Sequence, residues 1–262
     1  MDFVADTMNH YDLPNLHDLP ACTRTHHERC ISVKPTEALG ELNKNHKRVF
    51  VRRTPEDVFK MSIKLKKSVF DVMEDLEGWC SKEKASFLID LILARQPKII
   101  VEIGVFGGKS LVPMALSLKS LGKGVVYGVD PWCADESAAG MDPESLKWWS
   151  ELNHNYILDS LVQKINAYEL NDHVSLLRVT SERCPEIPNI DLLHIDGNHS
   201  ERTSFIDVTK WVPLVKAGGY IIFDDVNWST TAMATAWLSS HCTKVAEFTG
   251  ENVWGVWIKN RE

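Results

Sequence analysis

The sequence predicts an α/β protein: a doubly wound, mostly parallel seven-stranded sheet with an antiparallel C-terminal hairpin and an N-terminal extension. Three observations predict it. From Lys98 onward, short β-branched runs alternate with helical periods, the pattern of a parallel sheet covered on both faces. Within that stretch, Ile99-Ile100-Val101-Glu102 leads through Gly104, Gly107 and Gly108 to Ser110, then to the apolar Leu111, Met114, Leu116 and Leu118. A buried strand, a glycine turn and a helix N-terminus in that order are how α/β proteins make a nucleotide-sized site. Finally, two strand-like runs, Lys244 to Phe248 and Val253 to Lys259, are joined only by Thr249-Gly250-Glu251-Asn252. So short a connection makes an antiparallel pair and not a crossover.

In chain order, residues 1–53 are rich in His, Asn, Pro and Thr without a sustained period, and are expected as an irregular leader. Thr54-Pro55-Glu56-Asp57 is a helix start: a capping threonine, proline at the first helical position and acids in the first turn. Val58, Met61, Leu65 and Val69 follow at helical spacing, widened by Phe59, Ile63 and Phe70. Ser81 caps a second helix, Lys82 to Arg95, which stops before Pro97. Residues 54–96 are therefore expected as packing or lid helices ahead of a domain spanning 97–262. Its first five strands are predicted at Ile99 to Glu102, Val125 to Asp130, Val174 to Val179, Asp191 to Asp196 and Tyr220 to Asp224. Helices are predicted near Ser110 to Leu121, Pro143 to Leu170 with a break, Arg202 to Val215 and Thr230 to Ser239.

Composition narrows the function classes. With 44% hydrophobic and 25% charged residues, the 262-residue chain has an ordinary globular balance. No apolar run reaches the roughly eighteen residues of a membrane span; even Phe87 to Leu93 is broken by Asp90. The N-terminus lacks the basic flank and apolar core of a signal peptide, so a cytoplasmic location is expected. A net charge of -7 speaks against a nucleic-acid partner, which needs clustered Lys and Arg. The locally basic stretch from Arg24 to Lys67 reads as a solvated face. Cysteines 22, 30, 80, 133, 184 and 242 have no framework spacing, as in a reducing compartment. Cys22, His26, His27 and Cys30 are metal-ligating residue types whose spacing matches no zinc module.

In an open α/β sheet, ligands bind at the carboxyl ends of the strands. Here those ends carry Glu102, Asp130, Thr180-Ser181, Asp196 and Asp224-Asp225. The G-x-G-x-x-G order of a dinucleotide site, with its acid about 20 residues on, is absent. Glu102-x-Gly104-x-x-x-Gly108-x-Ser110, the acid Asp130 closing the second strand and the terminal hairpin together resemble the class I S-adenosylmethionine-dependent methyltransferases. Within that Rossmann-like class they are similar to the metal-assisted small-molecule O-methyltransferases. The resemblance implies a cofactor site made of Glu102, Gly104, Gly108, Ser110, Asp130, Trp132, Thr180, Ser181 and Asp196. The glycines would let the backbone approach the methionine part, Ser110 would bind its carboxylate, Asp130 the ribose hydroxyls, and Thr180 with Ser181 would edge the adenine. Trp132 and Trp149 are the candidate pocket walls.

A second constellation joins Leu193-His194-Ile195-Asp196-Gly197-Asn198-His199 to Ile222-Phe223-Asp224-Asp225. Each segment ends a buried strand, which draws Asp196, Asp224 and Asp225 together. Two bare carboxylates about 4 Å apart repel by roughly 4 kcal/mol at an effective dielectric near 20. A hard divalent cation resolves that conflict, and magnesium fits it best. The acidic pair, and the Asp-x-x-His spacing of Asp196 and His199, are similar to macrolide-sugar methyltransferases and cephalosporin-hydroxylase-type proteins; catechol-type enzymes have Asp-Asn and a lysine at those places. The implied reaction moves the sulfonium methyl to a hydroxyl of a small molecule, a sugar or a vicinal diol. The metal would acidify the hydroxyl and His199 would take its proton. His194, inside its strand, is expected as a core histidine. Metal-free methyl transfer, the chemistry of the hydroxylase-type relatives and a non-catalytic cofactor-binding module are the alternatives. Homo-oligomerisation is left open, and no residue pattern names the acceptor.

Overall fold

The computed structural model describes residues 54–250 and 252–261; Cys22, His26, His27, Cys30 and the rest of the leader lie outside them. The two capping residues act as their side chains dictate. Thr54 Oγ1 accepts the Asp57 N–H at 3.2 Å while the Thr54 N–H donates to Asp57 Oδ2 at 2.9 Å, opening α1, Pro55–Met73. Ser81 Oγ accepts the Lys84 N–H at 3.1 Å and opens α2, Lys82–Arg95, which closes on Gln96 in the left-handed conformation before Pro97.

The strands are β1 (Ile99–Ile103), β2 (Val125–Asp130), β3 (Val174–Arg178), β4 (Ile190–Ile195), β5 (Val215–Asp224), β6 (Cys242–Thr249) and β7 (Val253–Lys259), in one sheet ordered β3-β2-β1-β4-β5-β7-β6. The first five are parallel; β7 is antiparallel to both β5 and β6. Between them run α3 (Leu111–Leu121), α4 (Ala134–Ser137), α5 (Pro143–Glu151), α6 (His154–Ala167), α7 (Glu201–Trp211) and α8 (Ala232–His241). The break expected after Pro143 falls at Asn153, whose Oδ1 caps α6 by accepting the Tyr156 N–H at 3.1 Å. The helix predicted to reach Val215 ends at Trp211 instead, in a single 3-10 turn carrying Pro213, and Val215 begins a strand five residues longer than expected.

Neighbouring strand residues face opposite layers, and both layers are apolar because both are covered. Ile100, Val126, Leu192 and Ile222 pack under α2, α3 and α6; Val101, Val129, Leu193, Ile221 and Phe223 pack under α7 and α8. α1 lies on α2 through Val69, Met73, Ala85 and Ile89, so it packs behind the sheet. Among the described residues, no helix is long and apolar enough to cross a membrane. The strand order reverses at β1, between β2 and β4, and the crevice beyond those strand ends is where a ligand is expected.

Candidate functional site

A pocket of about 910 Å³ opens at that place. Its lining brings together Gly104, Ser110, Asp130, Thr180, Ser181 and Asp196 of the expected cofactor set, together with His199 and Asp225. Two of the glycines are demanded by the protein's own packing. A Cβ on Gly104, at φ +82°, would lie 2.0 Å from the Asp196 carbonyl oxygen, and one on Gly108, at φ +84°, would lie 2.4 Å from Leu161 Cδ1. Asp130 ties the glycine loop down: Oδ2 accepts the N–H groups of Val105 and Phe106 at 2.9 Å each, and Oδ1 that of Trp132 at 2.7 Å. Burial pushes its carboxyl up, against the pull of those three bonds. Three bonds leave room for about one more on its roughly four lone-pair sites. At the far side Ser181 Oγ donates to Asp207 Oδ1, and burial pushes the Asp207 carboxyl up to about 7.

Two expected cofactor residues lie elsewhere. The Trp132 side chain is buried in the core, with Nε1 donating to the Phe106 carbonyl oxygen at 2.9 Å, so it is no pocket wall. Glu102 is fully buried beneath the pocket floor; its Oε1 accepts from Ser110 Oγ and lies 2.8 Å from His194 Nδ1, while Oε2 has no hydrogen-bond partner. The Ser110 hydroxyl donates its hydrogen to Glu102, and the residue stays in the pocket lining.

The magnesium set expected from Asp196, Asp224 and Asp225 does not converge. Asp224, the last residue of β5, points into the interior, where its Oδ2 receives Lys84 Nζ and its Oδ1 lies 3.3 Å from His194 Nε2. Asp225 is in the left-handed conformation, φ +50°, which turns the next carboxylate to the pocket side. The side chains that do approach one another form two groups that share Asp196, His194–Asp196–Asp224 below and Asp196–His199–Asp225 at the pocket. Lys84 Nζ also lies 3.3 Å from Asp196 Oδ2, so the lower group already contains a cation. These residues do not fit a magnesium ion shared by three carboxylates.

Below the floor, charges alternate: Glu102, His194, Asp224, Lys84, Asp196. Burial alone would raise the Asp224 carboxyl, but Lys84 and His194 outweigh it and hold the group well below the usual carboxylate range. Burial and Lys84 pull His194 down, yet its bonds to Asp224 and Glu102 prevail and lift it to about 9. His194 is thus a core histidine, as expected, with the added part of joining β1 to β5. Lys84 escaped the sequence reading, though it sits in line with Leu88 and Ile92 on the buried stripe of α2, where a lysine is out of place.

On the pocket side His199 Nε2 lies 3.0 Å from Asp225 Oδ2 and 3.7 Å from Asp196 Oδ1, with Trp228 5.1 Å away, centroid to centroid. Burial raises Asp225 to about 6 against the pull of His199, with Asp196 and Asp224 adding to the rise. Trp149, one of the expected walls, does line the pocket, within a cluster the sequence did not announce: Trp79 packs on Phe106 at 5.1 Å and Trp148 on Trp149 at 5.0 Å.

Residues 101–226 match the methyltransferase domain family. R132, an uncharacterized protein of Acanthamoeba polyphaga mimivirus, is 34% identical over 168 residues, which are 63% of this chain and 63% of that protein. The chain therefore spans about 63% of the length of this curated relative. Among solved structures, the O-methyltransferase NovP superposes with a TM-score of 0.54 at 17% identity, over 78% of this chain and 98% of its own. The O-methyltransferase from Bacillus cereus in complex with S-adenosylhomocysteine gives 0.50 at 16% identity, over 80% and 94%. The S-adenosylmethionine complex of TomG from Streptomyces achromogenes, an O-methyltransferase involved in tomaymycin synthesis, gives 0.50 at 14%, over 81% and 93%. At these identities the likeness is one of fold. Residues 101–226 are thus similar to a methyltransferase domain, and the fold is one shared with proteins solved bound to S-adenosylmethionine or its demethylated product.

Proposed function

We propose that this chain is an S-adenosylmethionine-dependent O-methyltransferase whose acceptor is a small hydroxylated molecule, a sugar or a vicinal diol, and whose base is His199. The observation that carries the reading is that one pocket contains both halves of such a site: the glycine loop with Asp130 and Ser181, and His199 against Asp225. The charge of the lining supports it. Among the described lining residues, the acids Asp130, Glu136, Asp142, Asp196 and Asp225 outnumber the basic groups Lys109 and His199, which suits a ligand bearing a sulfonium and an ammonium.

S-adenosylmethionine supplies a methyl group already activated on sulfur, so that its transfer to a hydroxyl leaves a thioether and one proton. The chain then has to align and deprotonate. His199 takes the acceptor's proton on the ring nitrogen that Asp225 leaves free, Nδ1; Asp225 Oδ2, 3.0 Å from Nε2, orients the imidazole and balances the imidazolium. Trp148 and Trp149 wall the pocket with apolar surface. Asp224 is committed to Lys84 and His194, so a divalent ion assisting the transfer would be left with Asp196, His199 and Asp225 for ligands and would compete for the base.

Calorimetry with S-adenosylmethionine tests the cofactor assignment: saturable binding is expected, and its absence would sink it. With an acceptor found by screening sugars and diols, His199→Ala should lose methyl transfer near neutral pH and regain part of it at high pH. A profile indistinguishable from wild type would remove His199 from the base role.

A further inference from the structure

Lys84 sits on α2 with its side chain wholly out of solvent, among Leu88, Ile92 and the ends of β4 and β5. Desolvating an ammonium is unfavourable unless opposite charges surround it. Here they do: Nζ bonds Asp224 Oδ2 and lies 3.3 Å from Asp196 Oδ2, so one cation is shared by two carboxylates from adjacent strands. The remaining oxygen of Asp224 faces His194 Nε2 at 3.3 Å. Any divalent ion bridging Asp196 and Asp224 would have to occupy the position the ammonium holds, or sit against it.

We propose that Lys84 takes the place of the divalent ion in this site: the fixed positive charge between Asp196 and Asp224 is the chain's own ammonium, and these carboxylates take up no magnesium. The proposal rests on the reading of the pocket as a methyltransferase site. Lys84 does not line the pocket, so its role is that of a positioning residue. It holds Asp196 by Oδ2, leaving Oδ1 on the side of His199 Nε2, 3.7 Å away, and the base then stands between two carboxylates, Asp196 and Asp225. A lysine tethered by its stem to α2 cannot be removed by a chelator, and the cation is present as soon as the chain has folded.

The test is metal binding, read apart from turnover. The chelator-treated full-length chain is titrated by calorimetry with manganese chloride, magnesium chloride and, separately, S-adenosylmethionine. The wild type should bind S-adenosylmethionine and show no metal uptake that Asp196→Asn or Asp224→Asn removes. Lys84→Ala should create saturable manganese binding that the added Asp224→Asn abolishes. Wild-type binding of either ion, lost in Asp196→Asn or Asp224→Asn, overturns the proposal. A Lys84→Ala chain with a native circular dichroism spectrum and no manganese uptake overturns it too. Metal binding that survives both asparagine substitutions lies elsewhere and leaves the proposal standing. If Lys84→Ala does not fold, the wild-type titrations alone decide, and a failed S-adenosylmethionine arm refutes the methyltransferase reading without altering what the metal arms report.

Discussion

Asp224→Asn changes almost nothing in shape and removes one charge from the middle of a buried row. In the wild type that carboxylate receives Lys84 Nζ on Oδ2 and lies 3.3 Å from His194 Nε2 on Oδ1, and the side chains of both partners are 0% exposed. An amide in its place leaves the Lys84 ammonium with Asp196 alone and the His194 imidazole with Glu102 alone. Removing one member of a buried ion pair costs about 3–5 kcal/mol, because the partner's charge stays buried without its counter-charge. In a domain of this size each kcal/mol moves the thermal midpoint by about 2–4 °C, so a fall of roughly 10 °C is expected. Urea unfolding and thermal melts followed by circular dichroism measure both. Glu182→Gln is the control, since its pair with Arg202 at 2.9 Å is solvated, with 51% and 71% of the side chains exposed, and should be worth less than about 1 kcal/mol. Replacing both members, as Lys84→Met with Asp224→Leu, should restore part of the loss. An Asp224→Asn chain no less stable than the control would refute the idea that these charges hold one another in a low-dielectric interior.

Gly104→Ala should be worse than a usual surface change: the new Cβ meets backbone at 2.0 Å and 2.6 Å at a φ of +82°, so a loss of about 3 kcal/mol or more is expected, and a chain melting like wild type would contradict the close approach of β1 to β4. Asp207 gives a pH signature. Its carboxyl, raised from an ordinary 3.8 to about 7 chiefly by burial, adds stability that is fully present below pH 3.8 and is lost as pH rises through about 7, up to about 4 kcal/mol in all. Asp207→Asn should therefore flatten the fall in stability between about pH 4 and pH 7, and urea midpoints with an unchanged pH slope would rule the buried acid out.

Much of the fold was legible because its signals are local. Thr54 and Ser81 cap the helices they precede, the closing hairpin follows from a four-residue link, and Gly104 and Gly108 stand where the backbone takes a left-handed turn. Errors in extent have local causes as well, as where Pro213 ends a helix early and lets β5 start at Val215. The site was legible only to the level of strand ends. Which way the carboxylates at the end of β5 face depends on a single dihedral at Asp225, and nothing in the composition of the pair encodes it. Lys84 stands 112 and 140 residues from the carboxylates it joins, on a helix whose one other lysine, Lys82, is exposed. Trp132 looked like a wall because it follows Asp130; its own left-handed backbone, φ +41°, sends the indole inward.

The matched segment, 101–226, invites excision as a self-sufficient unit, and the placement of α2 and β7 argues against cutting there. A fragment beginning at residue 101 would forfeit the helix that carries Lys84, stranding Asp196 and Asp224 beside each other with their counter-charge left behind. One ending at residue 226 would uncover the long flank of β5, where Ile221, Ile222 and Phe223 now pair with Trp257, Val256 and Gly255. Such a bare apolar margin recruits other chains. The smallest piece able to stand alone must begin ahead of Ser81 and run through Lys259, so its boundaries are set by electrostatics at one end and by strand pairing at the other.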